Sequence, residues 1–273
     1  MNREQAERLT KDALDQLAVE LEGGRSKRLT DYLETMARFP DYSFRNVLLI
    51  ASQRPDATRV AGFHAWRKLR RFVKKGERGI AIIAPIVGRK DVAEDESGIR
   101  GFRVVHVFDV ASTDGEPLPA LAKIAGDPGE ATVRLQRLVT SKGIELRYVE
   151  DLAGALGRSH GGKIEIVCGL SPAQEFEVLA HELGHEILHR RDTEEVVPPR
   201  DVRELEAEAV AYSVATGIGL EAKASSLDYI GLFQGSKELL LASLDRIQHT
   251  AAEILRDIHS QPCDVVPAEE LAA

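Results

Sequence analysis

The sequence predicts an α+β protein: N-terminal helices with a small antiparallel sheet, followed by a helix-rich domain with a small sheet of its own. Three observations carry this. Apolar residues recur at helical spacing toward both ends of the chain. Two strand-like runs, GIAIIAPIVG at 79–88 and FRVVHVFDVA at 102–111, follow the first helices and are joined by an acidic loop, as in a hairpin. The stretch 112–128, STDGEPLPALAKIAGDP, holds three prolines among small and polar residues and marks a boundary. Two domains are therefore expected, 1–118 and 119–273.

The elements follow in order. Residues 2–22 carry Leu9, Leu14, Leu17 and Leu21 near a 3.6-residue rhythm and end at Gly23-Gly24. Residues 27–38 form a second helix, stopped before Pro40. A third spans Asp41 to Ser52, with Phe44, Val47, Leu48 and Ile50 as its apolar face. From Val60 to Arg71 the chain starts extended and turns helical around Trp66. Beyond the boundary come a helix at about 129–141, a strand at 144–149, a small-residue loop ending in GRSHGG, and a strand at 164–168. Ser171-Pro172 opens the next helix, serine as N-cap and proline at the first helical position. It runs to about Arg190. After Pro198-Pro199 a helix covers 201–216, ended by Gly217 and Gly219, and a long helix covers 236–258. The tail QPCDVVPAEELAA is expected to fray.

Composition narrows the function. With 273 residues, 43% hydrophobic and 29% charged, the chain is neither collagen-like, low-complexity nor wholly disordered. No apolar run is long enough for a membrane span, and the polar N-terminus lacks the core of a signal peptide, so the expected compartment is the cytoplasm. Cys168 and Cys263 form no CxxC pair, which excludes a disulfide framework and a cysteine zinc site. The net charge of −8 hides an asymmetry: residues 41–90 hold twelve Lys or Arg against three acids, +9, leaving −17 for the rest. A basic binding surface attached to an acidic body follows.

The strongest motif is HELGH at 181–185. Positions i and i+4 share a helix face, so the imidazoles of His181 and His185 can reach one ion. Two neutral imidazoles and a carboxylate suit zinc with one coordination position open. Glu182, beside His181, is the candidate catalytic acid–base group. After eighteen residues that intervene beyond His185, Glu204 opens ELEAE and is the expected third ligand, with Glu208 one turn on as a group holding a metal-bound histidine. This is the glutamate-zincin arrangement of a metallopeptidase. Asp201 and Glu208 remain the other candidates for third ligand. His189 lies about 12 Å along the helix axis from His181 and is assigned to the core or to support. Glu206 is read as solvated. His160, in a glycine-flanked loop, is the other histidine to follow.

In the basic segment, HAWRKLRRFVKKGERG mixes cations with Trp66 and Phe72. Single-strand binders pair a cationic groove with aromatic faces on which bases stack. The candidate DNA contacts are Arg45, Asn46, Trp66, Arg67, Lys68, Arg70, Arg71, Lys74 and Lys75. For the aromatic rings, burial in the core competes with this reading.

Two stretches carry a family resemblance. YSFRNVLLIASQRPDATRVAGFHAWRKLRRFVKKGERGIAIIAP with RVVHVFDVAST resembles the N-terminal single-stranded-DNA-binding domain of ArdC-type antirestriction proteins. HELGHEILHR, RELEAEAVAYSVATGIGL and SSLDYI resemble their C-terminal metalloprotease-like domain, itself similar to that of ImmA-type and IrrE-type regulators. The resemblance covers most of residues 25–258. It implies a cytoplasmic protein of mobile elements or their bacterial hosts. Such a protein binds single-stranded DNA through about 40–115, holds Zn²⁺ or another divalent ion at His181, His185 and Glu204, and protects incoming DNA from restriction enzymes. A protein substrate, restriction enzyme or regulator, is implied with it; a membrane partner is not. The acidic insert DVAEDESG departs from the pattern by placing negative charge near the expected DNA face. Two rival readings remain: an ImmA-like regulatory protease that cleaves a repressor, and a DNA-binding protein whose metal is structural and performs no hydrolysis.

Overall fold

A computed structural model of the chain describes residues 3–24, 27–87, 99–118, 126–189, 198–220, 232 and 236–260. The acidic insert, most of the centre of the interdomain stretch, SSLDYI and the tail lie outside the described residues.

The N-terminal part begins with helices α1 (Arg3–Glu22), α2 (Lys27–Arg38) and α3 (Phe44–Gln53). Ser43, not Asp41, starts α3, because its hydroxyl accepts the Asn46 N–H and caps the helix. Strand β1 (Val60–Gly62) leads into the short helix α4 (Phe63–Lys68) and strand β2 (Arg71–Val73). The expected hairpin is present as β3 (Ile80–Val87) and β4 (Ile99–Asp109), paired antiparallel, with β1 on the far side of β4 in the order β1-β4-β3. Strand β5 (Thr113–Gly115) pairs with β2 in a separate ribbon.

The C-terminal part starts with α5 (Glu130–Ser141) and β6 (Glu145–Val149). Within the segment read as a loop, Gly157–Ser159 forms strand β7, which pairs antiparallel with β8 (Lys163–Val167). The strand escapes the alternation pattern because it is three residues long, with glycine at its first position. β6 lies parallel to β8, so the order is β6-β8-β7 and β7 is an edge. Then come α6 (Pro172–Leu188), α7 (Arg200–Gly217) and α8 (Lys237–Ser260). A full capping box starts α6: the Ser171 hydroxyl accepts the Gln174 N–H and the Gln174 side chain accepts the Ser171 N–H.

One buried cluster runs from Leu17 of α1 through Phe44, Ile82, Phe176 and Val210 to Ile258 of α8. Helix α2 packs on α7, and α1 on α8, so the N-terminal helices stand directly against the helices of the second part. Helix α7 is flanked by α6 on one side and α8 on another. A Cβ on Gly184 would lie 3.3 Å from Ala207 Cα, so the glycine inside HELGH lets α6 and α7 approach closely. That approach brings Glu204 to the histidines.

Candidate metal centre

His181 and His185, one turn apart on α6, turn their Nε2 atoms toward each other at 3.1 Å. From α7, Glu204 Oε2 lies 3.5 Å from His181 Nε2 and 3.4 Å from His185 Nε2. Ligands on a tetrahedral ion with bonds of about 2.1 Å are spaced about 3.4 Å apart. Two imidazole nitrogens and a carboxylate oxygen at these separations fit such an ion. Glu208 Oε2 stands 3.3 Å from the other nitrogen of His181, Nδ1. Asp201 lies exposed in the first turn of α7, apart from this group.

Glu182 is buried, at 7% exposure, beside the cleft. It accepts a hydrogen bond from the Ser159 hydroxyl, and burial pushes its pKa upward. A Cβ on Gly157 would fall 2.8 Å from Glu182 Oε1, so glycine is required where β7 passes the carboxylate. The cleft holds about 740 Å³ and is walled by β7, α6 and α7, with Arg158, Glu177, Arg203 and Tyr212 on its sides.

Several supporting groups escape a reading of the sequence alone. The buried Glu186 accepts the N–H groups of Gly161 and Gly162 at 2.7 and 2.6 Å, fastening α6 to the turn after β7. Both glycines have positive φ, 65° and 100°, so the pair Gly161-Gly162 is the available signal. His160 stands 3.4 Å from Glu165, apart from the His181–His185–Glu204 group. The expectation of a solvated Glu206 is overturned. Glu206 is fully buried, accepts a hydrogen bond from Arg246 of α8, and lies 3.4 Å from His189. Two residues turn a helix by about 200°, so Glu206 faces opposite to Glu204, and on α7 that side meets α8 rather than water.

The basic segment divides. Trp66 is 2% exposed and donates its indole N–H to Phe108 O at 2.8 Å, so it is a core residue and offers no face to a base. Asn46 is likewise occupied: it donates to Ile83 O and accepts from Ile83 N, both at 2.9 Å. Gln53, two turns later, does the same to Ala81, so α3 closes the free edge of β3. Arg70 pairs with Glu116, Arg71 bonds Thr113, and Lys74 pairs with Asp114, all across the β2–β5 ribbon. Arg45 is exposed within electrostatic reach of Asp245 on α8. Arg67, Lys68 and Lys75 are exposed and make no ion pair among the described residues.

Comparison with known proteins places the N-terminal part. Residues 6–110 match the family described as the N-terminal domain of anti-restriction factor ArdC. The family match thus covers the N-terminal part of the chain. Two crystal structures of the antirestriction protein ArdC from the R388 plasmid, one metal-free and one Mn(II)-bound, share the fold at a TM-score of 0.54 and 20% identity. The matches cover 92% and 93% of this chain and 97% and 99% of those. An uncharacterized protein of Bacillus anthracis is 23% identical over 310 residues, 94% of this chain and 52% of its own length. The chain thus spans about half the length of that curated relative.

The part of the chain that matches this family also reaches the cleft. Tyr212 of α7, which lines it, donates its hydroxyl to Glu34 of α2 at 3.1 Å. No described helix is long and apolar enough to cross a membrane.

The histidine–carboxylate cluster has a testable pH signature in the metal-free protein. Burial opposes the charge on His181, but hydrogen bonds to Glu204 and Glu208 and the Glu182 charge outweigh it, raising the pKa from 6.5 to about 9. Glu204, bonded to His181, falls from 4.5 to about 2 despite partial burial. The His181 contribution to stability is complete below pH 6.5 and is lost as pH rises through 9. That of Glu204 is complete above pH 4.5 and is lost as pH falls toward 2. Metal-free protein is therefore expected to melt higher at about pH 6 than at about pH 9.5, and Glu204→Gln to flatten the difference. Calorimetry in chelator measures both. A wild-type melting temperature that climbs over this interval, with Glu204→Gln unchanged, contradicts the pairing.

Proposed function

We propose that the protein binds single-stranded DNA through residues 1–118 and carries in residues 119–273 a zinc-dependent, peptidase-type hydrolytic centre, acting in antirestriction. The observation that carries the reading is the convergence of His181 Nε2, His185 Nε2 and Glu204 on one point beside the buried Glu182, in a chain whose residues 6–110 match the ArdC N-terminal domain family. The Mn(II)-bound form of the R388 protein supports a divalent ion in this fold. The donor set of two imidazoles and one carboxylate favours zinc.

Bound by these three residues, a divalent ion supplies Lewis-acid activation of water and of an amide carbonyl. The chain's own groups do the rest. Glu182 accepts a proton at its carboxylate and returns it to the departing amine, with a pKa raised by burial toward the range useful for that exchange. Ser159 holds that carboxylate by its hydroxyl, and Glu208 holds His181 at Nδ1. The edge strand β7 supports a protein substrate: a peptide added along it would run its backbone past Glu182.

Metal analysis tests the centre. Purified protein is expected to hold about one divalent ion per chain, lost in His181→Ala and in His185→Ala. Glu204→Ala is expected to weaken binding more than Asp201→Ala. Full metal content in both histidine variants removes the assignment, and a larger effect of Asp201→Ala moves the third ligand.

A further inference from the structure

Trp66 is closed to bases, yet the same sheet carries rings that are open. Successive residues of a strand face opposite sides. In β4, Val105, Val107 and Asp109 turn to the protein side: Val107 and Asp109 are 4% and 2% exposed, and Val105 packs on the core. Phe102, Val104, His106 and Phe108 share the other side, opposite Ala81, Ile83 and Pro85 of β3. Phe102 is 46% exposed, and His106 is exposed. Helix α4 extends the row with Phe63, 45% exposed, its ring centre 6.5 Å from that of Phe108 and 5.7 Å from that of His64. A Cβ on Gly79 would lie 2.8 Å from His106 Cβ and 3.1 Å from the Phe108 ring, so glycine leaves room for both to lie across the neighbouring chain.

Charge decides what covers this row. Its β3 and β4 residues include no acid. Asp109, the acid nearest in sequence, points inward and accepts the N–H groups of Thr58, Arg59 and Ala111. Arg67 follows Phe63 by one helical turn, Lys68 follows it, and Arg78 precedes Gly79. All three are exposed and make no ion pair among the described residues. The exposed rings at the Phe63 and His106 end of the row, with these cations next to them in the chain, complement a polyanion that presents flat apolar groups. Duplex DNA keeps its bases stacked inside; a single strand presents them.

We infer that the outer face of the β1-β4-β3 sheet, with Phe63, His106 and Phe102, is where unpaired bases of single-stranded DNA stack, while Arg67 and Lys68 meet the phosphates. This rests on the DNA-binding reading above and replaces Trp66 as its aromatic platform.

The test titrates a labelled oligothymidine with the full-length protein over a range of salt. Phe63→Ala and Phe102→Ala are each expected to weaken binding about 5- to 150-fold, the range for removing one base–aromatic stack, with the salt slope unchanged. Arg67→Ala with Lys68→Ala is expected to weaken binding and make the slope shallower by about 0.7 for each phosphate no longer neutralised. Phe102→Tyr retains a ring and is expected to bind as wild type; Phe102→Leu retains apolar bulk without a ring and is expected to bind like Phe102→Ala. That contrast holds even if one alanine variant folds poorly. Wild-type affinity in Phe63→Ala and Phe102→Ala, or equal weakening in Phe102→Tyr and Phe102→Leu, overturns the stacking face while the DNA reading stands. A wild-type protein with no affinity at low salt overturns the DNA reading itself.

Discussion

Glu182→Gln is expected to lower peptide-hydrolysing activity of the metal-loaded protein by roughly 100- to 10,000-fold, the usual contribution of a positioned acid–base group. The substitution changes one property. Glutamine matches glutamate in size, and its amide oxygen can still accept the Ser159 hydroxyl hydrogen bond that the carboxylate accepts now. It cannot take a proton. The position leaves little room for a larger change, because β7 passes so close that Gly157 has no space for a Cβ. Metal content is expected to stay at the wild-type level, since His181, His185 and Glu204 are untouched. DNA affinity is expected to stay as well, because the open face of the β1-β4-β3 sheet is built from other elements. Protection of incoming DNA in cells is the deciding readout. If protection fails in Glu182→Gln while DNA binding survives, hydrolysis is part of the function. If protection is unaffected, the metal centre is a scaffold and occlusion of DNA is the whole mechanism.

The clustering of His181 and His185 is legible in the sequence because its information is local. HELGH places two imidazoles on one helix face by helix geometry alone, and Ser171-Pro172 announces the start of that helix. Glu204 requires one further inference, that a second helix returns alongside, and Gly184 against Ala207 is the physical reason it does. Residues whose roles depend on a distant partner are not legible. Asn46 and Trp66 sit within a cationic run, but one clamps β3 and the other bonds Phe108 O, and neither partner lies nearby in the chain. Phe102 is hidden for the opposite reason. It reads as one apolar residue among many in a strand, and only the strand pairing and burial show its ring standing half-exposed among the described residues. The contrast between the basic segment 41–90 and the acidic remainder is visible in charge, yet the packing of α2 on α7 and the Tyr212–Glu34 hydrogen bond arise only in three dimensions.

Removal of Arg246 is expected to destabilise the protein by about 3 kcal/mol, because it strands a buried charge. Glu206 is 0% exposed, between α7 and α8. Arg246 donates to one of its carboxylate oxygens and to the Ser243 hydroxyl, while His189 stands 3.4 Å from the other oxygen. The Arg246 side chain keeps 37% of its surface in water, so the expected destabilisation lies at the low end of the range for breaking a buried pair. Urea unfolding of Arg246→Met measures it. The discriminating comparison is the double variant Arg246→Met with Glu206→Leu. Apolar groups of similar volume need neither solvation nor a partner, so the double variant is expected to recover most of the stability that the single one forfeits. If Glu206→Leu instead adds its own full cost on top of Arg246→Met, the two side chains are not coupled, and the pairing that holds α7 against α8 behind the histidine–carboxylate cluster is wrong. Metal content of the double variant supplies the link to function. Glu204 and Glu208 project from the opposite side of the same helix, so a helix held in place by apolar packing alone is expected to keep its ion.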